Sequence, residues 1–306
     1  MLYPADVGHL LGFSLYEGLA FGFVAIGVYL TFRVLAFPDL TVDASFALGG
    51  AVAAVLIADH DVNPFLATLA ALGAGLCAGL ATSLLNTKLK IPALLAGILM
   101  MVGLYSINLR IMGQPNLQLL REPSIFSLTA QLLGLETRLE YRLVVAGVLA
   151  VVVFFILNWF LRTEIGLALR ATGDNEQMVR GAGIDTDKTT ILGVSIANGI
   201  VALSGGVVAQ GQGFSDVNMG VGMIITGLAS VIIGEALFRP KGVARLLLAA
   251  FGGTFVYRLV ISIALRIGMR AGDLKLITAV IVIIALAIPY LQKRIRREWL
   301  PPAPRW

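Results

Sequence analysis

Long apolar runs decide the fold class of this chain, and the clearest of them, residues 142–161, reads RLVVAGVLAVVVFFILNWFL. Its one charged residue, Arg142, stands at the very start of the run. An α-helix needs about 20 mostly apolar residues to cross the hydrocarbon core of a bilayer. The length and composition of this run therefore predict a transmembrane helix.

The same pattern recurs along the whole chain. The second run is short and follows a polar stretch that contains a proline, which suggests unwound backbone within the membrane. The nine candidate spans are residues 13–35, 44–58, 64–86, 91–112, 142–161, 188–209, 217–237, 242–265 and 273–291. We therefore expect an all-α integral membrane protein with about nine transmembrane helices, in which residues 1–306 form a single transmembrane domain.

The overall composition supports a membrane protein and excludes several other classes. Of the 306 residues, 58% are hydrophobic and only 13% are charged, with a mean hydropathy of +0.89. A soluble domain carries roughly 25% charged residues, so most of this surface must face membrane lipid. The net charge of +5 comes without a basic, aromatic-interleaved face, and we expect no nucleic-acid partner.

The sequence offers no catalytic or cofactor-binding pattern. The single cysteine, Cys77, can form no internal disulfide, and His9 and His60 have no second ligand at helical spacing. There is no Gly-rich phosphate-binding motif and no nucleophile–base arrangement. We therefore expect no enzyme activity, no metal and no cofactor in this chain, so any ATP-driven step would require another polypeptide.

The distribution of lysine and arginine predicts an orientation. If residues 162–188 are cytoplasmic, the alternation of spans places 36–43, 87–90, 238–241 and the C-terminal tail on the same side. Most lysine and arginine residues then fall on that side, as the positive-inside rule requires. This predicts a cytoplasmic C-terminus and an N-terminus outside.

An internal repeat emerges when the sequence is shifted by 177 residues, because residues 19–39 then align with 196–216 without a gap. The identical pairs are Ala20/Ala197, Gly22/Gly199, Val24/Val201, Ala25/Ala202, Phe37/Phe214 and Asp39/Asp216. Five spans separate the two starts, so the second copy enters the membrane from the opposite side. We predict inverted repeats over about 13–112 and 188–291, joined by a linker helix at 142–161, which is a recurrent plan of transporters.

Both copies place a Phe-x-Asp sequence and further polar residues after their first span. The residues concerned are Phe37, Asp39, Thr41, Asp43, Phe214, Asp216 and Asn218. Ionisable groups near membrane depth are costly and mark transport pathways by default, so these residues are candidates for lining a substrate path. Alternatively, they are ordinary loop residues in which an aspartate caps the next helix.

Two polar interruptions separate the spans. Residues 113–141 predict an outside loop with a surface-lying helix at 125–135. Residues 162–188 form the most polar segment, where Asp174 and Gln177 resemble a capping box and Gly181 supplies a stop. This predicts one short helix at about 175–181, which is too short to be stable alone and so requires a partner groove.

Several stretches resemble a known family. Residues 164–175 (EIGLALRATGDN), followed by GID at 183–185, resemble the cytoplasmic coupling segment of ABC importer permeases of the branched-chain amino acid and ribose type. Three others resemble a bacterial permease family linked to aromatic amino acids such as tryptophan or tyrosine. They are FPDLTVD at 37–43, YSINLRIMG at 105–113 and DVNMG at 216–220.

The resemblance implies partners and a location. Two permease copies would pair with two ATPase subunits that bind ATP and Mg, in the bacterial inner membrane, and an extracytoplasmic binding protein would deliver a small polar solute such as an amino acid. The implied contacts with the ATPase are Glu164, Arg170, Asp174, Asn175, Glu176, Arg180 and Asp185. Gly181 departs from the family pattern, in which a helix former is expected at that position.

Two alternatives remain open at the level of sequence. The chain could be a secondary transporter in which Asp39 and Asp216 bind a coupling ion, or a non-transporting scaffold or receptor. Uptake driven by an ion gradient alone would favour the former, whereas the inverted repeat argues against the latter.

Overall fold

The computed structural model describes residues 4–134 and 138–269, together with residues 273, 276, 278–280 and 283. The helices are α1 (Pro4–Val28), α2 (Thr41–Ala58), α3 (Pro64–Thr87), α4 (Ala93–Met112), α5 (Ile125–Leu133), α6 (Arg138–Phe160), α7 (Glu164–Asp174), α8 (Glu176–Gly181), α9 (Thr186–Gln212), α10 (Met223–Phe238) and α11 (Val243–Arg266). Two short strands, β1 (Asn116–Gln118) and β2 (Phe214–Asp216), pair antiparallel.

The prediction of an all-α membrane protein is confirmed. Among the described residues, seven helices are long and apolar enough to cross a bilayer, and α10 is a shorter apolar helix of 16 residues. These eight correspond to the first eight predicted runs. The ninth run, 273–291, lies almost wholly outside the described residues.

Helix α9 is the centre of the bundle, and glycines bring its neighbours close. In its most apolar stretch 78% of the residues are buried. A side chain on Gly49 of α2 would collide with the backbone of Ala202, and one on Gly79 of α3 would collide with Val194. Such small residues let helix backbones approach closely in a bilayer, where burial of apolar surface does not drive association.

The helix pairings recur in the two halves of the chain. Helix α3 packs on α9 as α11 packs on α1, and α2 packs on α9 as α10 packs on α1. Helices α1 and α9 run antiparallel, because Tyr16 lies beside Gly211 while Gly27 lies beside Ala197. An inverted repeat requires this exchange of partners, and the repeat itself stays a prediction.

Short elements distinguish the two ends of the bundle. We call them the α5 end, which carries α5 and the β1–β2 ladder, and the α7 end, which carries α7 and α8. The surface helix predicted at 125–135 is confirmed as α5, which is capped by Ser124 and docked through a hydrogen bond from the Ile125 amide to the Gln210 Oε1 at 3.0 Å. The ladder was not predicted, because three-residue strands leave no periodicity in the sequence.

Candidate functional site

A break in the first long helix positions the candidate site. Helix α1 continues through a π-helical turn, Tyr29–Val34, and stops where Ala36 adopts a φ of +52°. A positive φ is unfavourable for alanine and marks strain that the surrounding packing must hold. Leu35 packs against Gly193, which lies about 10 Å along α9 from its first residue at 1.5 Å per residue. The break, residues 35–40, therefore lies beside the interior of a spanning helix.

Asp39 sits within this break at the centre of a buried polar cluster. Its side chain is fully buried, and its Oδ1 accepts a hydrogen bond from the Thr41 amide at 2.8 Å. Its Oδ2 accepts one from the Asn198 Nδ2 at 2.6 Å, and the Asn198 Oδ1 in turn accepts from the Ser45 Oγ at 2.7 Å. The Thr41 and Thr82 hydroxyls lie 2.9 Å apart. These five residues form the Asp39 cluster, which ties α2 and α3 to α9.

The cluster contains both predicted and unpredicted members. Asp39 and Thr41 were candidates from the sequence, whereas Ser45, Thr82 and Asn198 were not. The sequence did contain one indication of these missed residues. Asn198 is an amide in the middle of an apolar run, and a polar side chain in that position needs a buried hydrogen-bond partner. Among the described residues, no ion pair reaches Asp39, so hydrogen bonds alone hold its carboxyl group.

Phe37, the first aromatic of the Phe-x-Asp pair, belongs to the apolar core and not to an open path. It is 6% exposed and packs within the cluster of buried residues at the α7 end. Its amide donates to the Thr31 carbonyl at 2.8 Å, which closes the end of the π-helical turn. Phe37 therefore anchors the break.

Asp43 caps a helix from another part of the chain. Helix α10 begins after Gly222, which has a φ of +88° and no side chain to cap the helix. The Asp43 carboxylate accepts hydrogen bonds from the amides of Gly222 at 2.9 Å and Ile224 at 2.7 Å. A carboxylate is favoured at this position because unpaired amides and the helix dipole both attract negative charge.

Asp43 also opens onto a cleft of about 460 Å³ between α2, α4 and the turn that precedes α10. The polar residues that line it are Asp43, Tyr105, Ser106, Asn108 and Asn218. The rest of the lining is mostly apolar, including Met101, Val102 and Val217. Apolar walls with a few convergent polar groups are typical of small-molecule sites.

The second Phe-x-Asp lies elsewhere, at the α5 end. Phe214 is 38% exposed, and the Asp216 carboxylate accepts from the Asn218 amide at 2.8 Å and the Asn116 Nδ2 at 3.3 Å. From Asn198 to the end of α9 at Gln212 the helix rises about 21 Å. Asp39 and Asp216 therefore do not share a site, although Asn218 joins Asp43 in the cleft.

The segment 162–188 contains two helices, which corrects the prediction of one. Helix α7 was missed, and Asp174 ends it without capping the next helix. The cap of α8 is Asn175, whose extended backbone lets its Oδ1 accept from the Met178 amide at 3.0 Å. A capping residue must lie outside the helix, and Asp174 is helical.

Charged groups of this segment are engaged with one another. Arg180 contacts Glu176 at 2.7 Å and Asp187 at 3.1 Å, and its Nε donates to the Thr186 Oγ at 2.6 Å. Asp185 caps α9 and lies 3.3 Å from the Lys188 Nζ. Hydrogen bonds from the Lys188 amide and ammonium lower the pKa of Asp185 below its ordinary value.

The other predicted contact residues of the segment differ in exposure. Glu164 and Asp174 are exposed, whereas Arg170 is half-buried and its Nε lacks a hydrogen-bond partner. Large apolar side chains are also exposed here, with Met178 at 70%, Ile165 at 54% and Leu167 at 48%. The outer face of the segment therefore combines exposed carboxylates with exposed apolar side chains.

Helix α7 is in direct contact with the break. A side chain on Gly173 would collide with the Val34 carbonyl, and Leu169 and Leu35 pack together on Gly193. The Thr172 and Thr189 hydroxyls lie 3.0 Å apart and tie α7 to α9. Helix α7 therefore packs directly on the chain that leads to Asp39.

The described residues provide a lined cleft and a contact surface at the α7 end. In the part of the chain that the structure describes, no group of three or more His, Cys, Asp or Glu residues could hold a metal ion. The cleft offers hydrogen-bonding groups and apolar contacts, and the α7 end offers a surface that is in contact with the break.

Comparison with known proteins identifies the family. The family described as the permease component of branched-chain amino acid transport systems matches residues 10–287. The tyrosine transport system permease protein of Clostridioides difficile is 40% identical over 271 residues, which cover 89% of this chain and 88% of that protein. The uncharacterized protein RP368 of Rickettsia prowazekii is 35% identical, with 86% and 91% covered.

A more distant relative extends the family resemblance. The autoinducer 2 import system permease protein LsrC of Yersinia pseudotuberculosis is 32% identical over 168 residues, which cover 54% of this chain and 45% of that protein. No solved structure matches the chain. The resemblance drawn from the coupling segment is therefore confirmed, and this multi-pass membrane chain belongs to the family of permease components of branched-chain amino acid transport systems.

Proposed function

We propose that this chain is the membrane-spanning subunit of an ABC importer that moves an amino acid into the cytoplasm, with tyrosine as the first substrate to test. The observation that carries the proposal is the contact between α7 and the break, through Gly173 and Val34. It provides a route by which a force applied outside the bundle reaches its interior. The tyrosine transport permease from Clostridioides difficile supports the choice of substrate.

A separate ATPase, which binds ATP and Mg, docks on the α7 end. The exposed carboxylates Glu164 and Asp174 and the exposed Met178 form the contact surface. The Glu176–Arg180 pair keeps α8 folded against the start of α9 in the absence of the partner. The sequence predicted that Glu176 and Arg180 contact the ATPase directly. We propose instead that their main role is to hold the coupling segment in the shape that the ATPase binds.

Substrate passes through the cleft beside α2 and α4. Asp43 retains acceptor capacity beyond the two amides it binds, since a carboxylate has about four lone-pair sites. It can therefore attract the ammonium group of an amino acid while Tyr105 and Met101 contact its side chain. An extracytoplasmic binding protein delivers the substrate at the α5 end, which faces away from the ATPase.

A second copy of the chain covers the face of α4. Tyr105 and Ser106 are exposed on this face, and polar groups exposed to hydrocarbon are costly. The outward face of α6, in contrast, is formed by Val148, Val152 and Phe155. We infer that α6 faces lipid and that α4 lines the contact between two protomers.

The decisive experiment reconstitutes the chain in liposomes with an ATPase and a binding protein from the same transport system. We expect ATP hydrolysis and tyrosine uptake to rise when the binding protein is loaded with tyrosine. Met178→Glu should abolish both by preventing assembly with the ATPase, whereas Leu120→Glu, which alters a residue 76% exposed at the opposite, α5 end, should leave that assembly intact. Uptake by the chain alone, driven by an ion gradient, would contradict the proposal and favour a secondary transporter.

A further inference from the structure

A polar stripe runs down one face of α11 towards the α5 end. Arg258, Ser262 and Arg266 are spaced by four residues and so share one face of the helix. The Ser262 hydroxyl lies 3.1 Å from that of Ser14 on α1. The Arg258 Nη1 lies 3.8 Å from the Glu17 carboxylate, also on α1.

A cavity of about 420 Å³ lies where this stripe reaches the α5 end, between α1, α6 and α11. Its polar lining consists of Arg142, Ser262 and Arg266, and its apolar lining consists of Leu10, Phe13, Leu139 and Leu265. The Arg142 Nη2 donates to the Gly211 carbonyl at 2.7 Å, and its guanidinium carbon lies 5.4 Å from the centre of the Tyr16 ring. Arg142 is thus held in place by the bundle and faces a cavity.

Two guanidinium groups, from Arg142 and Arg266, line this cavity, and its described lining contains no carboxylate. Further along the stripe, Arg258 lies beside the Glu17 carboxylate and over the Phe21 ring, and it does not line the cavity. The Nε atoms of Arg142 and Arg258 are both buried without a hydrogen-bond acceptor. A buried donor of this kind is costly unless an acceptor is supplied, and an anion in the cavity would supply one to Arg142.

We propose that this cavity binds the phosphate group of an acidic phospholipid. The guanidinium groups match a phosphate in charge and geometry, because two N–H groups of arginine can engage two phosphate oxygens. The cavity lies at the ends of three helices, which is where spanning helices reach the headgroup layer of a bilayer.

The surroundings favour a lipid over a free anion in water. Large apolar side chains lie exposed beside the cavity, including Leu11 and Leu15 of α1 and Ile263 of α11. Two wall residues, Phe13 and Leu265, are themselves more than 40% exposed. The acyl chains of a phospholipid would cover this apolar surface, whereas a soluble ion would leave it exposed.

Native mass spectrometry of the full chain in detergent tests the proposal, with phosphatidylglycerol and phosphatidylcholine titrated separately. Both lipids carry a phosphodiester, but the choline ammonium of phosphatidylcholine neutralises its charge and is repelled by the two guanidinium groups, so we expect phosphatidylglycerol to bind about tenfold more tightly. Arg266→Gln and Arg142→Gln should each remove most of this preference. Arg110→Gln, which alters an exposed arginine at the end of α4, should leave it unchanged.

A charge-retaining variant and a competition with inorganic phosphate complete the lipid-binding experiment. Because Arg142 also holds the Gly211 carbonyl, Arg142→Lys serves as a variant that retains the charge, and it should retain most of the preference if folding is intact. Equal binding of the two lipids, or an unchanged preference in both glutamine variants, would overturn the proposal. Displacement of phosphatidylglycerol by equimolar inorganic phosphate would assign the site to a free anion. Glutamine variants that keep the lipid but lose stimulation by the binding protein would assign the arginines to a protein contact.

Discussion

At the scale of single residues, Asp39 shows what the sequence can predict about a buried polar group and what it cannot. Its place after an apolar run predicted either a path residue or a helix cap, and the structure gives it a cap-like hydrogen bond from Thr41 at full burial. Its main partner, Asn198, is 159 residues away, and no local pattern identifies a pairing at that separation. The residue type was therefore predictable, whereas its partner was not.

Asn198→Ala should destabilise the protein through the Asp39 cluster. The substitution leaves a buried carboxylate oxygen and the Ser45 hydroxyl without their partners. Buried groups left unpaired cost about 1–3 kcal/mol each, so we expect the free energy of unfolding to fall by about 3 kcal/mol. Reversible unfolding of the purified chain in mixed micelles measures the difference.

Ser195→Ala is the matched control for that measurement. Ser195 lies three residues earlier on the same helix, and its Oγ is buried without a hydrogen-bond partner. Its removal should leave the free energy of unfolding unchanged or slightly raised, since no hydrogen bond is lost. Equal losses for the two variants would show that the Asp39 cluster contributes nothing beyond ordinary packing.

Asp43→Ala should loosen the start of α10. It removes the acceptor of two amides that Gly222 cannot cap, and the loss of a helix cap costs about 1–2 kcal/mol. Slower tyrosine uptake should accompany it, because the same carboxylate lines the cleft. Hydrogen exchange should rise at residues 222–226 and not elsewhere, and Asp59→Ala, which alters an exposed residue just after α2, should show neither effect.

At the scale of elements, the spanning helices were predictable and the coupling helices were only partly so. Long apolar runs can be identified from composition alone, which is why eight helices lie close to their predicted positions. Helix α7 was missed because Gly166 and Gly173 lower its local helix propensity. The structure explains both glycines, since a side chain at either position would collide with neighbouring backbone.

Gly173→Ala should separate α7 from the break. The added methyl group would collide with the Val34 carbonyl, so the helix must shift or the break must open. Overpacking of this kind costs about 1–3 kcal/mol. We expect intact assembly with the ATPase but a strong loss of substrate-stimulated hydrolysis, measured against basal hydrolysis in the same liposomes.

Gly181→Ala provides the contrast within the same segment. No atom lies within 4 Å of the position that its side chain would occupy, and the residue ends the short helix α8. Alanine is a better helix former than glycine, so the melting temperature should stay the same or rise. If Gly181→Ala reduced coupling as much as Gly173→Ala, the contact with Val34 would not be the route of transmission.

At the scale of the whole molecule, the sequence predicted how many apolar runs there are but not which faces meet lipid. Helices α4 and α6 are equally open, each with 22% of its most apolar stretch buried. Their outward faces differ in the polar residues that α4 carries in its second half, including Tyr105 and Ser106. Hydropathy averaged over a run conceals this difference, because it depends on which side of the helix each residue occupies.

Cysteine cross-linking distinguishes the two faces. In a Cys77→Ser background the chain has no other cysteine, so Val102→Cys on α4 and Phe155→Cys on α6 can be compared directly. The two positions are 63% and 62% exposed, which makes them equally reachable by a short bis-maleimide. A two-fold dimer brings the same patch of both protomers together, so we expect cross-linked dimers in nanodiscs from Val102→Cys and few from Phe155→Cys. The reverse pattern would place α6 between the protomers and leave the cleft beside α4 facing lipid, where its polar lining could not serve a hydrated substrate.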